Sequence, residues 1–285
     1  MSRALLSSIS QFQRLSSRSF STTLRPLSDK LTVCTQKDGV RKITLANPKK
    51  RNALSMAMMD QLLTDLSKDV NDSLRVIVIK AEGPVFSAGH DLRELSKEQG
   101  SEKHSDVFSR CTDVMTLVQD LPIPVIAQVN GLATAAGCQL VASCDIAIAT
   151  GTSRFATPGV NVGLFCSTPA VAVGRAVPRK VALEMLFTGH PISAQDALMH
   201  GLISRIVPED KLDEEVDKLA SRICETSREV TEVGKACFYR QIVMGRDPAY
   251  KLAGQTMVDN LQLGDGKEGI DAFIQKRKPK WGSNL

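Results

Sequence analysis

The segment from Asn130 to Asp145 constrains the fold of this chain more than any other part of the sequence. It reads Asn-Gly-Leu-Ala-Thr-Ala-Ala-Gly-Cys-Gln-Leu-Val-Ala-Ser-Cys-Asp. Small residues fill most of positions 131–138 and let the backbone approach another group closely. The apolar run that follows has the pattern of a buried helix. We expect a close-packed turn that leads into a buried helix, with Asp145 in a buried structural role.

Strand-like and helix-like segments alternate over the first two-thirds of the chain, which indicates a mostly parallel α/β sheet with crossover helices. Ser55 is placed to cap one helix, and Phe108–Leu121 has the pattern of another. The charged residues 95–106 predict a mobile loop. The predicted strands are Val40–Leu45, Leu74–Ile79, Val125–Val129, Ile146–Ala149 and Arg154–Ala156.

Helical patterns dominate the sequence after about residue 195. Strand signals largely cease there, and the apolar residues recur at helical spacing instead. The predicted helices are Ala194–Met199, Lys211–Glu225, Val230–Val243, Pro248–Leu263 and Glu268–Lys276. The carboxyl-terminal part of the chain is therefore expected to be a helical region.

The first 28 residues have the composition of a mitochondrial transit peptide: they contain four arginines, many serines and no acidic residue. We predict transport to the mitochondrial matrix.

Without these arginines, 32 basic residues stand against 31 acidic ones. The remaining charge gives no support for nucleic-acid binding. The sequence also contains no run of 18 apolar residues, so a membrane span is not expected.

The cysteines and histidines predict neither a disulfide framework nor a metal site. Seven cysteines occur at irregular spacing without a Cys-x-x-Cys motif, which favours reduced thiols. The four histidines are scattered and include no pair four residues apart.

An ordered series of motifs resembles the crotonase (enoyl-CoA hydratase/isomerase) superfamily over about residues 32–281. Ser87–Asp91 and Thr134–Gly137 match the two small-residue turns of that superfamily. The run at 165–169, together with the amino-terminal segment, narrows the resemblance to a mitochondrial subgroup. The other matching segments are Arg51–Leu54, Pro191–Leu198, Gly201–Ser204 and Phe273–Pro279.

The resemblance implies a fold, an assembly and a ligand. The fold is a crotonase/ClpP-like spiral of ββα units over residues 32–205. It is followed by a carboxyl-terminal helical trimerisation region over 206–285 of the same domain. The assembly is a homotrimer or a hexamer. The ligand is a coenzyme A thioester, as substrate or bound molecule, with no prosthetic group.

The resemblance also implies which residues form the site. The backbone amides of Ala88 and Ala136 would form an oxyanion hole for the thioester oxygen, where developing negative charge needs hydrogen-bond donors. The role of His90 is open among three alternatives: its imidazole ring, its backbone amide and the packing of its side chain. The residues matched to coenzyme A binding are Arg51, Ala53, His90, Phe273 and Lys276.

Two positions depart from the pattern of a hydratase. Hydratases of this superfamily use two glutamates around one water, and these align with Gln139 and Gly159. Neither an amide nor a glycine exchanges protons near neutral pH, and general acid–base catalysis contributes ~10²–10⁴-fold. We therefore expect very weak classical hydration, with Gln139 as a hydrogen-bonding group for water or the thioester.

Three functions remain open at this point. The first is a hydratase-like protein of mitochondrial fatty-acid metabolism. The second is a different acyl-CoA reaction, such as decarboxylation or thioester hydrolysis, at the same oxyanion hole. In that case Cys166 is either a proton donor or a packed neutral thiol. The third is a non-catalytic acyl-CoA-binding regulator of lipid metabolism.

Overall fold

The computed structural model describes residues 30–282 of the 285-residue chain. The segment predicted to be a transit peptide, residues 1–28, lies outside the described residues. The strands are β1 (Thr32–Lys37), β2 (Val40–Leu45), β3 (Val76–Ala81), β4 (Val85–Ser87), β5 (Val125–Val129), β6 (Leu132–Thr134), β7 (Ile146–Thr150), β8 (Arg154–Ala156), β9 (Ile192–Ser193) and β10 (Arg205–Val207). The α-helices are α1 (Met56–Ser67), α2 (Gly100–Asp120), α3 (Ala136–Ser143), α4 (Ser167–Ala176), α5 (Arg179–Thr188), α6 (Ala194–Met199), α7 (Leu212–Cys224), α8 (Arg228–Gln241), α9 (Arg246–Asn260) and α10 (Gly264–Ile274).

The strands form two sheets. The larger sheet has the order β1-β2-β3-β5-β7-β10, and all of its neighbouring strands are parallel except the β1–β2 hairpin. The smaller sheet has the order β4-β6-β8-β9, with β9 antiparallel to β8. Asp38 and Gly39 turn the hairpin, both with positive φ, as the favoured two-residue hairpin turns require.

Successive strands alternate between the two sheets. β3, β5 and β7 belong to the larger sheet, whereas β4, β6 and β8 belong to the smaller one. Each such pair is followed by a helix, namely α2, α3 and α4. This is the spiral of ββα units that the resemblance implied, and the alternation brings the ends of β4 and β6 together. These two strands are parallel neighbours, with Ser87 paired to Ala133.

The central strands of the larger sheet, β3, β5 and β7, are buried on both faces. Ile77 and Ile79 of β3 point into the main core, which also contains Phe86 and Phe155. Alternate residues of the same sheet, among them Val78, form a second cluster with Leu212, Val216 and Ala220 of α7. This alternation follows from the two-residue period of a strand. A sheet covered on both sides is a rigid platform for the loops that leave the smaller sheet.

Helix boundaries differ from the prediction in several places. α2 begins at Gly100, so most of the predicted loop at 95–106 is helical or 3₁₀-helical; its charged residues lie mainly toward solvent. Two helices, α4 and α5, form where no element was predicted. β10 lies beside β7 in a part of the chain where strands were not expected. Within residues 30–282, no helix is long and apolar enough to cross a membrane.

Candidate active site

The first loop of the candidate site follows β4 and is fixed by the turn at residues 51–54. The Oγ of Ser87 donates a hydrogen bond to the carbonyl of Asn52 at 2.8 Å and accepts one from the Gly89 amide at 3.2 Å. The amide of Leu54 donates to the carbonyl of Gly89 at 2.7 Å. These bonds hold the loop in one conformation, with Gly89 at a φ of +84° that glycine adopts without a steric cost.

The amide of Ala88 is already engaged within the protein. It donates to the carbonyl oxygen of Arg51 at 3.0 Å, so it cannot donate to a ligand without breaking this bond. This corrects the expectation that Ala88 supplies the first oxyanion-hole amide. Two residues further on, the backbone N–H of His90 has no hydrogen-bond partner among residues 30–282. The His90 amide is therefore a free donor of this loop.

The second loop leads from β6 into α3. Ala135 has a φ of 50° and a ψ of −119°, a conformation that is strained for a residue with a Cβ atom. Its amide donates to the carbonyl of Ala156 at 2.9 Å. No side chain caps α3, and the amides of Ala136 and Gly137 find no acceptor in the described part of the chain. The amino terminus of α3 thus presents free N–H groups and the positive end of its dipole.

Close contact between the two loops accounts for their small residues. A Cβ added at Gly89 would lie 2.9 Å from the Cβ of Ala135 and 3.2 Å from the amide nitrogen of Ala136. A Cβ added at Gly137 would lie 2.5 Å from the carbonyl oxygen of Ser87. Glycine is therefore required on both sides of the contact. The contact brings the loop that carries the free His90 amide against the start of α3.

Gln139 lies one turn into α3 and is 5% exposed. Its Oε1 lies 3.9 Å from the sulfur of Cys111 on α2, a distance that suits a weak S–H hydrogen bond. No acceptor for its Nε2 group is found within residues 30–282. Burial raises the pKa of Cys111 to about 12, so this thiol stays protonated and donates. Cys111 was not predicted as a site residue, because its only sequence signal is its place on an amphipathic helix.

The loop after β8 closes over Gly159. The amide of Gly159 donates to the sulfur of Cys166 at 3.3 Å. A Cβ added at Gly159 would lie 2.6 Å from the carbonyl oxygen of Leu164 and 2.8 Å from the sulfur of Cys166. Burial raises the pKa of the Cys166 thiol, so it is neutral near pH 7. There is no room for a longer side chain at position 159 in this loop conformation.

The imidazole of His90 is held beside the first loop. Its Nδ1 lies 3.3 Å from the carbonyl oxygen of Leu54, and its ring meets that of Phe108 edge-on with 5.5 Å between centroids. Burial lowers the pKa of His90, which favours the neutral imidazole. Its Nε2 is buried and has no partner within the described residues.

Comparison with known proteins identifies the family of the chain. Residues 35–284 match the family model described as enoyl-CoA hydratase/isomerase. The chain belongs to this family. The predicted resemblance to the crotonase superfamily is thereby confirmed.

Relatives and solved structures of this family match nearly the whole chain. Enoyl-CoA hydratase domain-containing protein 3, mitochondrial, from Rattus norvegicus is 62% identical over 253 residues, which cover 88% of this chain and 84% of the rat protein. The crystal structure of the human protein of that name is 61% identical, with a TM-score of 0.87, and covers 88% of this chain and 100% of the human chain. An enoyl-CoA hydratase from Mycobacterium smegmatis is 47% identical, with a TM-score of 0.86, and covers 89% of this chain and 99% of its own.

These matches confirm two predictions made from sequence. The narrower resemblance within the crotonase family is to a group named as mitochondrial, which agrees with the predicted localisation. The mixed α/β fold with a carboxyl-terminal helical region is that of solved structures of the family.

The residues matched to coenzyme A binding divide into two groups in this member of the enoyl-CoA hydratase/isomerase family. Arg51 and Ala53 lie in the turn that fixes the first loop, and Arg51 is exposed with a φ of 51°. Phe273, on α10, is 84% exposed, and Lys276 follows that helix with a φ of 54°. Among residues 30–282, no hydrogen bond, ion pair or ring contact joins Phe273 or Lys276 to the first loop, α3 or His90.

Asp145 has the structural role expected from the sequence. One carboxylate oxygen accepts hydrogen bonds from the amide of Val125 and from the Nζ of Lys235, each at 2.7 Å. The other accepts from the hydroxyl of Tyr239 at 2.8 Å. Lys235 also donates to two backbone carbonyls of the core. This network attaches α8 to the spiral, and the sequence alone did not identify Lys235 as its partner.

Proposed function

We propose that this protein binds an acyl-CoA thioester whose carbonyl oxygen accepts hydrogen bonds from the backbone amides of His90 and Ala136. The observation that carries the proposal is the contact between the two loops, with Gly89 packed against Ala136 and each loop holding an amide without a partner. Two preorganised amides are the donor set for negative charge on a thioester oxygen. The dipole of α3 adds to their effect.

The proposal includes very weak classical hydration. Gln139 cannot exchange protons near neutral pH, and position 159 carries no side chain. The carbonyl of Leu164 and the sulfur of Cys166 occupy the space beside Gly159, so no other acid enters from that position. Cys166 is a neutral thiol that caps the Gly159 amide, which supports a packing role over that of a proton donor.

The setting we propose is fatty-acid metabolism in the mitochondrial matrix, and the assembly is a homotrimer or a hexamer. The exposed apolar surface of α8 and α9 supports oligomerisation, because no apolar residue of either helix is buried in the described chain. Exposed apolar patches of this kind mark protein interfaces. Large exposed side chains on and beside these helices include Phe238, Ile242, Val243, Tyr250, Met257 and Val258. Light scattering tests the assembly, and a monomer would contradict it.

Calorimetric titration of residues 29–285 with butyryl-CoA tests the proposed function. Saturable binding is expected, and its loss in Gly89→Ala but not in Gly174→Ala would place the ligand at the two loops. Both changes add one methyl group, but a Cβ at Gly174 meets no atom within 4 Å. No binding by the unchanged protein would overturn the proposal.

A panel of acyl-CoA esters analysed by mass spectrometry separates binding from a different reaction. Recovery of every ester unchanged supports a non-catalytic acyl-CoA-binding protein. Loss of carbon dioxide from malonyl-type esters, or release of free coenzyme A, would instead identify a decarboxylase or a thioesterase at the same amides. Decarboxylation needs an oxyanion hole and a proton source but no carboxylate base.

A further inference from the structure

A group of exposed apolar side chains lies on the loop that closes over Gly159 and on helix α5. Phe187 is 65% exposed and Phe165 is 46% exposed, although both are large aromatic residues. A single exposed apolar residue is ordinary, whereas a contiguous group marks a surface that binds another molecule. We call this group the 162–187 patch; its members are Val162, Leu164, Phe165, Leu183 and Phe187.

Two contacts join the loop and the helix into one surface. The rings of Phe165 and Phe187 pack with 5.9 Å between their centroids. A Cβ added at Gly189, directly after α5, would lie 3.1 Å from the Cα of Pro158 at the start of the loop. Leu183 lies one helical turn before Phe187 on the same face of α5. The exposed side chains are therefore neighbours rather than scattered residues.

Basic residues border the 162–187 patch. Arg179 lies two helical turns before Phe187 on the same face of α5, and Lys180 follows it. Arg175 lies in the last turn of α4, which a short connection joins to α5. Within residues 30–282 none of the three forms an ion pair, and Arg175 donates only to a backbone carbonyl of its own helix, at 2.8 Å. The local charge is therefore positive.

We propose that the 162–187 patch and its basic border bind the surface of a negatively charged lipid bilayer. Apolar side chains at the boundary between headgroups and acyl chains, combined with basic side chains at the headgroups, attach peripheral proteins to membranes. Phe165 and Phe187 supply the apolar part. Arg175, Arg179 and Lys180 supply the charge, for which lipid phosphates are suitable partners.

A second copy of the chain fits this surface less well than a bilayer does. A two-fold contact places identical patches against each other, so the basic borders of both copies would also approach one another. Their repulsion needs acidic partners, and Glu184 is the sole acidic residue in the sequence of α4 and α5. The positive charge therefore favours an anionic partner.

The attachment is to the membrane surface, because no helix within residues 30–282 is long and apolar enough to cross a bilayer. The patch consists of side chains outside the two loops that hold the free amides. Bilayer binding and acyl-CoA binding can therefore be measured separately, and the failure of one leaves the other standing.

Flotation of residues 29–285 with lipid vesicles tests the proposal. We expect binding to vesicles of phosphatidylcholine and phosphatidylglycerol in equal parts, and at least about tenfold weaker binding to phosphatidylcholine alone. Arg179→Gln/Lys180→Gln should weaken binding to the anionic vesicles at least about tenfold, because each basic residue contributes to the attraction. The matched control, Lys68→Gln/Lys267→Gln, removes the same charge from other exposed positions and should change the affinity less than about twofold.

The aromatic rings are tested by a second pair of variants. Phe165→Ser/Phe187→Ser should weaken binding to the anionic vesicles at least about tenfold, because it removes the side chains that insert. Phe187→Trp should keep the affinity, since tryptophan favours the membrane interface. Its added fluorescence should be quenched by a lipid that carries a nitroxide on the acyl chain. The unchanged protein gives the baseline of Trp281, the single tryptophan of the sequence.

Each outcome decides for or against the proposal. Weaker binding of both double variants, with quenching of the tryptophan at position 187, supports it. No binding of the unchanged protein to anionic vesicles overturns it. Binding that neither double variant weakens also overturns it, because another surface is then responsible. A smaller assembly of the serine variant in light scattering, without vesicle binding by the unchanged protein, would show a contact between copies of the chain instead. If the serine variant does not fold, the charge and tryptophan variants decide.

Discussion

The sulfur of Cys166 lies 3.3 Å from the amide nitrogen of Gly159 and accepts its hydrogen bond. The same sulfur lies 2.8 Å from the position that a Cβ would occupy at residue 159. The loop between these residues is therefore folded around a glycine. Its conformation is coupled to the absence of a side chain at this position.

Gly159→Ala is expected to lower the free energy of unfolding by about 1–3 kcal/mol, as overpacking of a tight site does. The added methyl group would lie 2.6 Å from the Leu164 carbonyl, which belongs to the backbone and cannot rotate away. Chemical denaturation measures the change. Gly174→Ala is the control: it lies in the exposed interior of α4, where alanine is expected to stabilise by about 0.5–1 kcal/mol. Equal stability of the two variants would contradict the closed loop.

Restoring two carboxylates is not expected to restore hydration. In the double variant Gln139→Glu/Gly159→Glu, the second side chain meets Leu164 and Cys166 and cannot adopt a position beside the ligand without opening the loop. Crotonyl-CoA hydration should stay within about tenfold of the single variant Gln139→Glu, which serves as the control. A gain of ~10²-fold or more from the second glutamate, the size of an acid–base contribution, would show that the loop opens freely.

Lys235→Met is expected to destabilise the protein by about 3–5 kcal/mol, because it removes one partner of a buried ion pair. The side chains of Lys235 and Asp145 are 8% and 15% exposed, and their charged atoms are 2.7 Å apart. Thermal unfolding measures the change, with the exposed Lys267→Met as the control. In a double-mutant cycle with Asp145→Leu, the two losses should be strongly non-additive. Additive losses would mean that the pair does not couple α8 to the core.

The stability of the protein should depend on pH through His90. Burial lowers the pKa of this imidazole below its ordinary value of 6.5, so the folded state binds fewer protons than the unfolded state between these two values. The contribution of neutral His90 is present above pH 6.5 and is lost as pH falls through that value toward the folded pKa. The stability of the unchanged protein relative to His90→Gln should therefore decrease between pH 7.5 and 5.5. His90→Phe also does not titrate, so the stability of the unchanged protein relative to this variant should show the same decrease. A stability difference that stays constant or rises as pH falls would contradict the prediction.

The sequence predicted the strands of the sheet core well because their apolar residues are continuous or alternate, and burial of a sheet imposes that pattern. It predicted the start of α2 poorly, since a charged segment can be a loop or the solvent-facing turn of a helix. Only packing against the core through Val107 and Cys111 distinguishes these two possibilities.

The small residues predicted the two loops of the site. They did not predict which backbone amide of the first loop is free to donate a hydrogen bond. Ala88 and His90 lie in the same five-residue motif, and the carbonyl of Arg51 decides which amide is free. The Arg51 carbonyl lies 37 residues before Ala88 in the chain, so no local sequence pattern predicts the hydrogen bond between them. The crowding at Gly159 is equally a property of the folded loop, because it depends on Leu164 and Cys166 lying across it.

The central claim is that the two loops hold an acyl-CoA thioester at free amides while the acid–base groups for hydration are missing. One experiment tests both parts: residues 29–285 are titrated with crotonyl-CoA, and hydration is followed in the same sample beside an active hydratase. We predict saturable binding together with a hydration rate at least ~10²-fold below that of the hydratase. Hydration at a comparable rate, or no binding of crotonyl-CoA, would contradict the account.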